Sequence, residues 1–187
     1  MAIKTFTTGE VLTAADTNTY LANSGLVLVK SQTVGSGVSS VEVSGAFSSI
    51  YDNYRIIYTG GTASTANMQH SLRLGSTVSS TYQTVLTYMD WGSGTVNGAQ
   101  TTNTSWFWIG GEKTNANGGP ILTLFELYNP FNSVATMMNS TAYGGGSSAG
   151  TSNGRLNNTT SYTAFTLLPD SGTFTGGAIT VYGYRKA

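Results

Sequence analysis

Met68-Gln69-His70-Ser71-Leu72-Arg73-Leu74 puts Met68, His70, Leu72 and Leu74 on one side of an extended chain, and Gln69, Ser71 and Arg73 on the other. A period of two marks a strand with one buried face. Only His70 interrupts the apolar side. The same alternation recurs in both directions. Upstream it runs through Leu26–Val34, Val38–Val43 and Tyr54–Tyr58. Downstream it runs through Tyr82–Tyr88, Ser105–Ile109, Ile121–Tyr128, Ala135–Tyr143, Thr163–Leu168 and Ala178–Tyr184. Clusters of Gly, Ser, Thr and Asn separate these runs and supply turn chemistry. About ten strands at this spacing, with no strand–helix alternation, predict an all-β sandwich or barrel and exclude a parallel α/β sheet. The expected architecture is a jelly-roll-like antiparallel β-sandwich over residues 26–187, behind a short N-terminal helical arm over residues 1–25. The softest stretch, Gly144–Gly154, reads either as an exposed loop or as a Gly-rich strand edge packed closely against a neighbour.

Composition narrows the function classes. The chain has 187 residues, enough for one domain with a sizeable core. Charged residues make up 9% of it, far below the usual quarter or so. With 39% hydrophobic and 11% aromatic residues it is not a disordered polar tract. The formal net charge is zero and no basic cluster is present, so nucleic-acid binding is not expected. No cysteine is available for disulfides or thiolate metal sites, which leaves stability to packing or oligomerisation. The N-terminus has no basic region followed by an apolar run, and no apolar stretch reaches the length of a membrane span. The expectation is cytoplasmic synthesis, without a signal peptide or membrane partner.

The helical period appears only near the N-terminus. Thr13 is a good N-cap, and Asp16 stands where a capping-box acid belongs and where the helix dipole favours a carboxylate. Val11 and Leu12 precede the cap, Leu21 closes the apolar side, and Gly25 is a natural stop. So short a helix is marginal alone and needs a surface to dock on. The run Phe6-Thr-Thr-Gly-Glu-Val-Leu-Thr-Ala-Ala-Asp-Thr-Asn-Thr-Tyr-Leu21 resembles the opening of many tailed-bacteriophage minor tail and fibre-like proteins. The closing segment Gly172-Thr-Phe-Thr-Gly-Gly-Ala-Ile-Thr-Val-Tyr-Gly-Tyr184 resembles the last hairpin of phage β-sandwich domains. The resemblance implies a virion component, either a small tail-fibre or adsorption protein or a capsid decoration or head-fibre protein. It implies a homotrimer and other virion proteins as partners. Phe6, Val11, Leu12, Asp16, Tyr20 and Leu21 are then the residues expected to attach it to the particle.

Residues for chemistry are sparse. The eight acids are scattered, with no Asp-x-Asp or His-x-x-x-His spacing, so no metal or other cofactor is expected. His70 has no cysteine nucleophile to serve, and no serine sits in a Gly-x-Ser-x-Gly elbow. Asp90 and Glu112 are the best carboxylate pair a glycosidase could use, though Asp90 also reads as a turn residue before Gly92. These features point away from an enzyme.

A lectin-like carbohydrate-binding module is the reading from another class, with host surface polysaccharide as partner. Alternation puts Trp106 and Trp108 on one strand face and Phe107 on the other. Facing solvent, the tryptophans are a stacking platform for sugar rings; facing inward, they are core or subunit interface. In the final strand Ile179, Val181 and Gly183 form an apolar side and Thr180, Tyr182 and Tyr184 a side that can line a subunit contact. The candidate host-contact loops are Asp90–Gln100, Gly110–Gly119 and Gly144–Asn153, with Trp91, Asn115 and Asn117 as contact residues.

Overall fold

The computed structural model describes residues 5–17, 25–65, 68–75, 80–90, 92–114, 120–143 and 148–186. Among them are one short helix, α1 (Ala14–Asp16), and thirteen strands. In chain order these are β1 (Leu26–Thr33), β2 (Val41–Val43), β3 (Tyr51–Ala63), β4 (Met68–Leu74), β5 (Tyr82–Asp90), β6 (Val96–Thr104) and β7 (Phe107–Thr114). They continue with β8 (Ile121–Tyr128), β9 (Thr136–Tyr143), β10 (Ser148–Leu156), β11 (Phe165–Pro169), β12 (Phe174–Thr175) and β13 (Ala178–Arg185).

Two antiparallel sheets pack as a β-sandwich, as the alternation predicts. The nine-stranded sheet has the order β1-β13-β3-β8-β9-β10-β5-β6, with β12 paired to β3. The four-stranded sheet has the order β2-β11-β4-β7. Leaving out the two hairpins β5–β6 and β9–β10, the remaining orders are β1-β13-β3-β8 and β2-β11-β4-β7. That connectivity is the eight-stranded jelly roll of two Greek keys. Both hairpins insert on the same side, beyond β8, and widen one sheet into a platform.

The core lies between the sheets and joins both. Phe165 of β11 meets Phe47 at 5.7 Å and Phe125 of β8 at 5.9 Å between ring centroids. Buried tyrosines keep partners for their hydroxyls, as burial of a phenol requires. The Tyr54 hydroxyl accepts from the Ser48 N–H at 2.8 Å, and the Tyr82 hydroxyl accepts from the Leu74 N–H at 2.9 Å. The Tyr58 hydroxyl donates to the Gly176 carbonyl at 3.1 Å, and burial pushes its pKa up to about 12.

The platform covers the edge of the smaller sheet. Its inner floor carries Thr84 on β5, Ser140 on β9, and Ser148 and Ser152 on β10, all buried. The Trp108 N–H of β7 donates to the Thr84 hydroxyl at 3.3 Å, and the Ser152 hydroxyl donates to the Trp108 carbonyl at 2.7 Å. With its one proton spent there, Ser152 receives the Ser140 hydroxyl at 2.6 Å. The exposed backbone groups of an edge strand are thus satisfied by side chains. Gly154 completes the fit: a Cβ there would lie 2.5 Å from Cδ1 of the fully buried Phe107. Of the two readings of Gly144–Gly154, the described part, from Ser148, is a strand packed closely against its neighbours, and it lies inside the sheet between β9 and β5.

Candidate functional site

The described part of the arm, residues 5–17, folds locally and has no buried residue. The Thr13 hydroxyl accepts from the Asp16 N–H at 3.1 Å, and the Asp16 carboxylate accepts from the Thr13 N–H at 3.2 Å, a complete capping box. Upstream, the Glu10 carboxylate accepts from the Thr7 N–H at 3.1 Å, which closes a turn. No residue of α1 is buried. Phe6, Val11 and Leu12 are exposed by 38%, 77% and 49%. Four of the predicted attachment residues, Phe6, Val11, Leu12 and Asp16, therefore lie together on one exposed segment. Tyr20 and Leu21 lie outside the described residues, as does the expected end of the helix.

Most of the described residues in the three host-contact stretches belong to strands. Asp90–Gln100 is the end of β5, a turn and the first half of β6; Gly110–Thr114 belongs to β7, and Ser148–Asn153 to β10. The polar residues in these stretches pair with neighbouring strands and form sheet instead of projecting from it. Trp91, Asn115 and Asn117 lie outside the described residues.

Two of the acids, Glu126 and Asp52, sit in bonded networks on the body. Glu126 on the outer face of the platform sheet accepts from Arg55 Nη2 at 2.7 Å and from the Tyr128 hydroxyl at 2.7 Å, and also from the Tyr184 hydroxyl. Burial works to raise its pKa, but the bonds from Tyr184, Tyr128 and Arg55 outweigh it and hold the carboxyl below its ordinary value. The bond to Glu126, with burial, pushes Tyr128 up to about 12. Asp52 pairs with Lys186 Nζ at 2.7 Å and accepts from Asn132 at 2.9 Å. Asp90 caps the β5–β6 turn, where its carbonyl accepts from the Gly94 N–H at 3.0 Å. Glu112 is described only as backbone within β7. Among the described residues no three His, Cys, Asp or Glu side chains gather as metal ligands.

His70 is buried between the sheets, with Nδ1 3.2 Å from the Thr123 hydroxyl and its ring 5.1 Å from that of Phe174. Its Nε2 has no hydrogen-bond partner among the described residues. Burial lowers its pKa to about 4, which keeps the imidazole neutral near pH 7.

The sequence left the side of the tryptophans open; the structure settles it. Phe107 is fully buried; Trp108, next to it in β7, is on the opposite, outer face of the four-stranded sheet, and Trp106 lies in the bend just before β7. Trp108 is half-buried and Trp106 is 36% exposed. The Arg73 guanidinium lies over the Trp106 ring, 5.8 Å from its centroid, and Arg73 Nε donates to the Ser105 carbonyl at 3.1 Å. Trp106, Arg73, Ser71, Leu168, Pro169 and Asp170 line a groove of about 170 Å³. A second groove, of about 360 Å³, crosses the outer face of the platform hairpins. Its polar tips bond one another: Asn139 donates to Asn153 at 2.9 Å and Arg155 to Gln83 at 3.0 Å.

The chain matches no protein-family model, no curated protein and no solved structure.

Proposed function

We propose that this chain is a structural protein of a tailed-bacteriophage particle, a small tail-fibre or tail-associated adsorption protein held to the virion by its N-terminal arm. The observation that carries the reading is the arm: capped at Thr13 and Asp16, it leaves Phe6, Val11 and Leu12 exposed in front of a jelly-roll body. A marginal helix with uncovered apolar side chains calls for another surface. The resemblance of Phe6–Leu21 to phage tail and fibre-like proteins identifies that surface as a neighbouring virion subunit. Attachment to the capsid as a decoration or head-fibre protein is the nearest variant of the same reading. The role is mechanical and adhesive, without catalysis, cofactor, nucleic acid or membrane.

The body is proposed to act as a homotrimer. Its outer faces offer half-buried tyrosines, Tyr182 and Tyr184 among them, to neighbouring copies, and the charges beside these, Arg55 and Glu126, are paired with each other. Closed cyclic symmetry repeats one arm around an axis. Light scattering should give close to three times 19.5 kDa, and a monomer at micromolar concentration overturns the trimer. Antibodies against the β-body should decorate the tails of purified particles. Decoration of the shell would favour the capsid variant, and unlabelled particles would sink the virion reading.

A further inference from the structure

We propose that the groove at Trp106 is a binding site for one neutral pyranose ring of a surface glycan. It is a different place from the loops expected to meet the host, and it goes beyond the structural role proposed above.

The groove combines three features that a sugar ring needs together. Trp106, in the bend just before β7, offers a partly exposed indole beside the four-stranded sheet. Arg73 is oriented on one side by its Nε bond to Ser105 and by the indole beneath it, and its Nη groups have no protein partner among the described residues. Asp170 is oriented through Oδ1, which accepts from the Gln69 N–H at 2.9 Å and from the Ser171 hydroxyl at 3.2 Å. Its Oδ2 has no hydrogen-bond partner among the described residues. The site therefore holds an aromatic surface, fixed donors and a fixed acceptor, each preorganised by bonds that do not involve a ligand.

A pyranose has an apolar C–H face and a rim of hydroxyls, each both donor and acceptor. The face suits Trp106 and the apolar wall of Leu168 and Pro169, and the rim suits Arg73 and Asp170. Other ligand classes fit worse. An anion meets the Asp170 carboxylate, a cation meets the Arg73 guanidinium, and a hydrocarbon strips water from both without replacing it. At about 170 Å³ the groove is smaller than the sites of roughly 300–1,000 Å³ that enclose drug-sized ligands. One ring enters it while the rest of a chain stays in solvent. The larger platform groove lacks an aromatic face, and its amides and Arg155 already bond one another.

The test uses the full chain, with the tryptophan indole N–H signals followed by nuclear magnetic resonance. The probes are the methyl glycosides of glucose, mannose, galactose and N-acetylglucosamine, with methyl glucuronide as the anionic control. At about 10 mM, above a Kd of about 1 mM for a single ring, at least one neutral glycoside should shift the Trp106 signal and receive saturation transfer from the protein. Trp106→Ala should abolish the transfer. Asp170→Asn, which preserves an oxygen for Gln69 and Ser171, should weaken binding at least tenfold with an unchanged spectrum elsewhere. Either result with the other absent overturns the site as described. So does a silent Trp106 signal with every neutral probe, or tighter binding of the glucuronide. These measurements need no particle, so their failure leaves the arm's role standing, and loss of the arm's role leaves them intact.

Discussion

Deleting residues 1–24 should leave a β-protein that folds with unchanged stability and no longer enters the particle. The core cluster begins at Val34, and the earliest residues packed against it are Val27 and Val29 of β1. No residue of α1 is buried, so among the described residues the deletion takes nothing from the core. The urea midpoint of the truncated chain should match that of the full chain, and its abundance in purified virions should fall to background. Replacing Val11 and Leu12 together by serine should reproduce most of the loss, because it removes the exposed apolar pair and keeps the Thr13–Asp16 cap. A truncated chain that fails to fold would assign the helix to the core, and one that still incorporates would end the attachment reading.

The second large effect is acid destabilisation through His70. Burial lowers its pKa from 6.5 to about 4 in the folded chain. Above pH 6.5 the imidazole is neutral whether the chain is folded or not, and stability does not depend on it. As pH falls below 6.5 the unfolded chain takes up a proton that the folded chain refuses until about pH 4. Stability therefore drops through that window by about 1.4 kcal/mol per pH unit, roughly 3 kcal/mol in all. Thr123, Tyr58 and Phe174 surround the ring, and none of them offers a charge to offset protonation. Urea midpoints measured from pH 7.5 to 4 should show the decline, and His70→Leu should flatten it even if its own stability at pH 7 is lower. Asp52 and Glu126, held below their ordinary values, lose their contribution lower in the acid range and persist in the variant. An unchanged slope in His70→Leu would show that His70 is not the group responsible.

How much of this was legible in the sequence depended on how each strand is buried. β4 gave itself away by alternating Met68, His70, Leu72 and Leu74 with Gln69, Ser71 and Arg73, and β8 by an apolar run, Ile121–Tyr128, that contains only one charge. β10 stayed open between loop and strand because its buried positions are Ser148, Ser152 and Gly154, with Leu156 the first large one. Small residues bury without looking hydrophobic, and here they are small because β7 rests on them. β6 escaped because it is an edge strand beyond the second sheet, mostly exposed along its length, so no face of it needs to be apolar. β12 is two residues long and carries no period. The capping box was readable from Thr13 and Asp16, because a local bond leaves a local signature. The Trp106 groove was not. It depends on Arg73 and Asp170, 97 positions apart in sequence, meeting across β4 and the end of β11. Only the sheet register brings Leu168 opposite Ser71, and Ser71 opposite Trp108.

The pairing of β1 with β13 carries a mechanical consequence. The arm joins the body at Leu26, where an antiparallel ladder begins that runs from Leu26↔Tyr184 to Thr33↔Ala178. Its hydrogen bonds stand perpendicular to the strands. A tug on the arm along the line of β1, as drag on a tethered body would produce, loads those bonds in shear, and they share the force instead of opening one at a time. A tug across the strand would peel them in sequence from Leu26. On the attachment reading proposed above, the junction should therefore hold hardest when the body trails in line with the arm, and give way first when it is bent sideways.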